Sequence, residues 1–237
     1  MKKILLVGDS ISMVRPNEGV FFQDLFITKL NIIFPGNIVV NAALRSNDTQ
    51  SILKDHFLNE YVHPLSPDII ILQMGIVDAS PRIFTKNEKM ILSILSKSRL
   101  MKPLAKRVIK FRSERRYEFT QKRAVSSVTL SDFKNNLDKF LSICKNDNPN
   151  VHFIVINICK PGKFMIERNF GIISQILAYN AVLSDFRDDN NFELIDIYNY
   201  TAENPDTLLP DGYHITPKIH LYLFHELQLK LGRLLNY

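Results

Sequence analysis

The chain has 237 residues, of which 46% are hydrophobic and 23% charged. These globular proportions exclude disordered and low-complexity classes and leave room for one large α/β domain spanning residues 1–237. Two cysteines, Cys144 and Cys159, exclude a disulfide framework or a cysteine-built zinc site and fit a reducing compartment. The net charge of +6 is moderate, so its placement says more than its size.

At the N-terminus, only Ile4 to Val7 separate Met-Lys-Lys from Gly8-Asp9, too short an apolar run for a signal peptide. No uncharged apolar stretch reaches the ~18 residues of a membrane span. The expectation is a soluble, cytoplasmic protein, peripheral to a membrane at most.

Lys3 to Val7 reads as a short buried strand, stopped by the turn residues Gly8-Asp9-Ser10. A helix is predicted over Phe21 to Phe34, a strand over Asn37 to Asn41 and a helix over Gln50 to Tyr61. Asp68 to Met74 is the third strand, its run Ile69-Ile70-Ile71-Leu72 apolar on both faces. Residues from about Phe84 to Val128 exceed an ordinary crossover and read as an insertion. Within it, Lys97 to Arg123 holds eleven basic residues against Glu114 and Glu118, a local +9. Leu95, Leu100, Leu104, Val108 and Phe111 recur three to five apart, which predicts an amphipathic helix interrupted or kinked at Pro103.

That arm is either a surface for phosphates, anionic lipid or acidic glycans, or a solvated helical face. Its aromatics are limited to Phe111, Tyr117 and Phe119, which ranks nucleic acid low. Beyond the arm come a helix over Leu130 to Cys144, a strand over Val151 to Ile158, a helix over Gly171 to Asp188, a strand over Phe192 to Ile197 and a helix over Lys218 to Leu235. Five strands alternating with helices predict a parallel sheet covered on both faces. Ligands in such sheets sit beyond the strands' carboxyl ends, which directs attention to Ser10, Ala42 to Thr49, Gly75 to Arg82, Cys159 to Gly162 and the loop after Ile197.

Two of these places carry reactive groups. Gly8-Asp9-Ser10-Ile11 follows the first strand, and Asp211-Gly212-Tyr213-His214 lies near the C-terminus. A serine hydroxyl needs a base to take its proton, and a histidine held by a carboxylate is the usual solution. Together these segments resemble the first and last motifs of the SGNH (GDSL-type) hydrolase family. The resemblance implies a flavodoxin-like three-layer α/β/α sandwich on a five-stranded parallel sheet, with the basic helical insertion added. It also implies Ser10 as nucleophile, His214 as general base and then acid, and Asp211 as the orienting carboxylate. The implied reaction removes a small acyl group, acetyl, from a saccharide or saccharide precursor. An O-acyltransferase with a sugar hydroxyl as acceptor, and a catalytically weak glycan- or anion-binding protein, are the alternatives. On the first reading the arm would engage phosphate-bearing or lipid-linked precursors, or the membrane surface.

The middle motifs depart from the family pattern. Ser46 stands where the second motif has a glycine that donates its N–H to the oxyanion, with Asn47 the candidate if the register moves by one. Gly75-Ile76-Val77-Asp78 replaces Gly-x-Asn-Asp, so Val77 removes a side-chain amide donor, a loss that typically costs roughly 10²–10³ in turnover. Arg45 and Arg82 are candidates to place a guanidinium near the oxyanion or a substrate acid. Asp78 reads as a cap or loop tie and Asn180 as a solvent-facing helical residue. His220 and His225 are five apart, off one helical face, and no metal is predicted. No phosphate-loop or dinucleotide motif occurs, so no cofactor is predicted.

Overall fold

The computed structural model describes residues 1–123 and 125–235. In chain order the regular elements are β1 (Lys3–Gly8), α1 (Phe26–Ile33), β2 (Ile38–Asn41), α2 (Asp55–Phe57), β3 (Ile69–Gln73), α3 (Ile76–Ala79), α4 (Lys86–Lys97), α5 (Lys102–Glu114) and α6 (Arg116–Lys122). They continue with α7 (Leu130–Asp147), β4 (His152–Ile156), α8 (Lys163–Arg168), α9 (Ile172–Asn190), β5 (Glu193–Ile195), α10 (Ile197–Glu203) and α11 (Pro217–Leu235).

The sheet order is β2-β1-β3-β4-β5 and every pairing is parallel. Ile4 pairs with Ile69, Ile69 with His152, and Ile154 with Glu193. The central strands are apolar on both faces because helices cover both: Leu5, Leu6, Ile70, Ile71, Ile154 and Val155 have no exposure. One covering layer is α1 packed on α11 and the other is α7 packed on α9. The chain leaves β1 toward β2 on one side and returns to β3 on the other, so a crevice opens beyond the carboxyl ends of β1 and β3.

The covering helices follow from their apolar spacing. In α7, Thr129 caps the first turn by accepting from the Asp132 N–H at 3.1 Å. Phe133, Leu137, Phe140, Leu141 and Cys144 then form one buried stripe. Each such side chain contributes about 1.5–3 kcal/mol on burial. α9 repeats the scheme with Ile172, Ile176, Tyr179, Leu183 and Phe186 and ends at Asn191 in the left-handed region, φ 53°.

The helix expected over Phe21 to Phe34 begins only at Phe26, after a 3₁₀ turn (Phe22–Asp24) and an extended Leu25, and two further expected elements differ in kind. Gln50 to Tyr61 is not one α-helix but a 3₁₀ turn (Ser51–Leu53), α2 and a π turn (Leu58–Val62). The fully buried residues there, Ile52, Phe57 and Val62, recur every five positions, a spacing that a 3.6-residue period cannot keep on one face. The insertion holds three helices, α4, α5 and α6, the first two paired as a hairpin, and is not one helix interrupted or kinked at Pro103. The chain breaks at Ser98–Met101, and Pro103 lies in the first turn of α5, where its missing N–H has no intrahelical partner to lose. Among the described residues no helix is long and apolar enough to cross a membrane.

Candidate active site

β1 delivers Ser10 directly to the crevice. The chain turns at Asp9, whose Oδ1 accepts from the Ile11 N–H at 2.8 Å, and Ser10 opens a 3₁₀ turn. From the opposite end of the sequence, Asp211 organises its own loop. Oδ1 accepts from the Tyr213 and His214 N–H groups at 3.2 and 3.0 Å, and Oδ2 accepts from His214 Nδ1 at 2.5 Å. Gly212 makes this reversal at φ +80°, where a Cβ would lie 3.1 Å from Met165 N. Burial works to raise the Asp211 pKa, but the hydrogen bonds from the His214 ring and backbone outweigh it and bring it down to about 2.

An ionised Asp211 holds the proton on His214 Nδ1, which leaves the Nε2 lone pair facing the Ser10 hydroxyl at 2.9 Å. The ring is buried and backed by Tyr213, with centroids 4.0 Å apart. The structure therefore brings Ser10, His214 and Asp211 into one proton-transfer chain. A further residue, Arg15, was not singled out in the sequence: its Nη2 also faces His214 Nε2, while its Nη1 is ion-paired with Glu18 Oε2 at 3.0 Å. Two donors thus converge on one lone pair.

Ser10 opens on a cavity of about 410 Å³ whose lining includes Ser46, Val77, Arg82, Phe164 and Tyr213. Ser46 adopts φ +56°, the conformation its glycine counterpart would take freely, and its N–H makes no hydrogen bond among the described residues. Val77 also lines the cavity and presents no donor. Arg82 lies beside it, its Nη2 donating to the Val77 carbonyl at 2.6 Å and its Nε to Ser127 Oγ at 2.7 Å.

Other candidates lie elsewhere. Asn47 is buried with Nδ2 donating to the Gly8 carbonyl at 3.0 Å, so it ties the second-motif loop to β1 and does not reach the cavity. Arg45 is exposed and borders a separate hollow with Arg15 and Glu18. Asp78 is buried behind the site and accepts from the Thr49 N–H and Oγ–H at 2.9 and 2.6 Å. Burial nonetheless pushes its pKa up to about 6. Gly75 lies outside the lining but shapes the turn into α3 at φ +122°; a Cβ there would fall 2.7 Å from Ile158 Cδ1. Asn180 is not a solvent-facing residue: its amide clamps the Ile158 backbone, accepting from N at 2.8 Å and donating to O at 2.9 Å. Among the described residues no group of three or more His, Cys, Asp or Glu comes together to hold a metal.

A parallel α/β/α sandwich with a serine, histidine and aspartate at the carboxyl edge of its sheet defines a serine-hydrolase class of site. The chain belongs to the GDSL-like lipase/acylhydrolase family, whose profile matches residues 6–221, and so to the ester-bond hydrolases. Among solved structures it is similar to the lipase/acylhydrolase from Enterococcus faecalis, at 18% identity over 97% of both chains with a TM-score of 0.63. It is also similar to an acetyl xylan esterase, AlAXEase, at 15% identity over 96% of this chain and 98% of the other, TM-score 0.62. An acetylxylan esterase from Geobacillus stearothermophilus matches at 18% identity over 98% and 94%, TM-score 0.61. These likenesses establish the SGNH hydrolase fold. No curated protein matches the sequence significantly.

Proposed function

We propose that this chain is a serine esterase that removes a small acyl group, acetyl, from a saccharide or saccharide precursor. The observation that carries the reading is the hydrogen-bonded chain Ser10–His214–Asp211 at the floor of the cavity. Ser10 Oγ attacks the ester carbonyl carbon while its proton passes to His214 Nε2. The oxyanion accepts from the free N–H of Ser46 and from that of Ser10. The carbonyl–alkoxy bond then breaks, His214 gives its proton to the departing alcohol, and the acyl group stays on Ser10. A water molecule, deprotonated by His214, attacks that ester; the acid leaves and Ser10 recovers its proton. The acetyl and saccharide parts of the reading draw support from the names of two structural relatives. A cytoplasmic site of action, with the α4–α5 hairpin resting on an anionic membrane surface, completes the proposal.

Labelling with a fluorophosphonate probe, read by intact mass, tests it. The wild type is expected to take one adduct, and Ser10→Ala to take none. His214→Ala is expected to label at least about 10³-fold more slowly. A wild type that takes no adduct at neutral pH, or an adduct that persists in Ser10→Ala, overturns the assignment and favours a binding protein in which Arg15 occupies the His214 lone pair.

A further inference from the structure

The charge of the cavity is one-sided. Arg82, Arg116 and Arg168 line it, and no Asp or Glu does. They arrive from three places far apart in sequence: the loop after α3, the first residue of α6 and the last of α8. The insertion is therefore part of the site wall and not only an outlying arm.

Among the described residues none of the three is in an ion pair. By contrast, Arg112 and Arg123 of the same insertion share Glu88 Oε1 at 3.0 and 3.1 Å. The three cavity guanidinium groups are instead held by uncharged acceptors. Arg116 donates from Nε to Asn169 Oδ1 and from Nη2 to the Pro81 carbonyl, each at 2.6 Å. Arg168 donates from Nη2 to the Ser113 carbonyl at 3.0 Å, and its guanidinium lies over the Phe164 ring. Nη1 of all three makes no hydrogen bond among the described residues. The forks are fixed in place by uncharged acceptors.

Nearby carboxylates make no ion-pair contact with these guanidinium groups among the described residues. Glu114 and Glu167 border an adjoining hollow with Arg116 and Arg168, but each sits beside a lysine of its own helix, Lys110 at 3.8 Å and Lys163 at 3.7 Å. Asp48 and Asp78 favour the charge on Arg82 through space, but their hydrogen bonds go elsewhere, Asp78 to Thr49 and Asp48 to Ser51. Burial opposes the charge on Arg82 and Arg116, and on Arg116 the neighbouring Arg82 and Arg168 add repulsion. Three half-buried cations with no carboxylate in ion-pair contact among the described residues form a site that an oxyanion completes, since a guanidinium fork matches carboxylate and phosphate oxygens in pairs.

We propose that the ester substrate carries an anionic group, a carboxylate or phosphate, which Arg116 and Arg168 grip with Arg82 while the acyl group meets Ser10. Ile76, Val77 and Phe164 on the same wall leave an apolar surface for the ring or chain between the two ends. The inference rests on the esterase reading and names its substrate class.

Matched substrates test it. Acetylated methyl glucuronoside, acetylated glucose 6-phosphate and acetylated methyl glucoside differ chiefly in the anion. The expected kcat/KM is at least about tenfold higher for an anionic member than for the neutral one at low ionic strength, and salt narrows the gap. Arg116→Lys and Arg168→Gln are expected to cut the anionic-to-neutral ratio by about tenfold or more, whatever either does to the absolute rate. A measurement that needs no variant is protection of wild-type Ser10 from the fluorophosphonate. Millimolar methyl glucuronoside or inorganic phosphate is expected to slow labelling where methyl glucoside does not, and which of the two protects identifies the anion. A ratio near one without protection overturns the anion site while Ser10 labelling, and so the esterase reading, stands. If the unprotected wild type does not label, the esterase reading falls; calorimetric titration with the same anions then judges the arginine site alone, and no heat of binding overturns it too.

Discussion

On the proposed esterase reading, Ser46 concentrates the chemistry of the altered motifs in one backbone group. Its φ of +56° is a conformation that costs an L-residue about 1–2 kcal/mol and that only small or short polar side chains tolerate. The Ser46→Gly variant is therefore expected to keep the N–H in place and kcat near the wild-type value. Ser46→Val, β-branched, is expected to swing the peptide out of the left-handed region and lower kcat roughly 10²–10³-fold with little change in KM. Steady-state hydrolysis of p-nitrophenyl acetate measures both; an unchanged kcat in Ser46→Val would show that another group holds the oxyanion. The grouping of Ser10, His214 and Asp211 was legible in sequence because each half is local: a serine just past a strand, and an Asp-x-x-His whose carboxylate reaches its own loop's N–H groups. Asn47 and Arg45 were not separable from Ser46 on that basis, since only the bond from Asn47 to the Gly8 carbonyl and the outward face of Arg45 decide which of them the cavity receives. Arg15, Arg116 and Arg168 were beyond reach for a different reason, as their approach to the site depends on how separate segments pack.

Among the elements, the α4–α5 hairpin departs furthest from a solvent-adapted surface. Met90, Ile94, Leu100 and Leu104 are 60%, 61%, 88% and 50% exposed, and Lys97, Arg99, Lys102, Lys106 and Arg107 stand exposed around them. Apolar side chains ringed by cations suit the boundary of an anionic bilayer, where the first enter the acyl region and the second meet the headgroups. Sedimentation with vesicles containing phosphatidylglycerol is expected to carry the wild type down. The double variant Leu100→Asp, Leu104→Asp is expected to bind at least about tenfold more weakly, and neutral phosphatidylcholine vesicles to leave the protein in solution. Equal recovery from both lipids would remove the membrane role. The strands were legible because an uninterrupted apolar run bounded by turn residues has few other uses. The Gln50–Tyr61 segment was not, because its buried residues follow a five-residue spacing, and the break in the hairpin falls at Ser98–Met101 where no single residue announces it.

Across the whole molecule, one pH-dependent part of stability comes from buried groups whose pKa values are displaced. Burial, reinforced by the neighbouring Asp78 charge and partly offset by the Ile11 N–H, pushes the Asp9 pKa up to about 7. An unfolded aspartate titrates near 3.9, so between about pH 4 and pH 7 the folded chain holds a proton that the unfolded chain has released. Stability from this group falls as pH rises through that window. His220 runs the other way: buried against Phe26 and without a hydrogen bond on either ring nitrogen among the described residues, it is held down to about 4. The unfolded chain then binds the extra proton between about pH 4 and 6.5, and stability from His220 rises with pH. The two slopes oppose each other between about pH 4 and 6.5, and Asp78, pushed up to about 6, adds to the first, so the overall melting profile does not isolate Asp9. Asp9→Asn separates them, because asparagine can still accept from the Ile11 N–H but no longer titrates, while His220 and the net charge of the rest are common to both proteins. The melting temperature of Asp9→Asn relative to wild type is therefore expected to climb by several degrees, on the order of 2–4 °C per kcal/mol at this size, from pH 5 to pH 7.5. Scanning calorimetry across that range measures it, and a difference that stays constant with pH would mean that Asp9 is already ionised in the folded protein at pH 5.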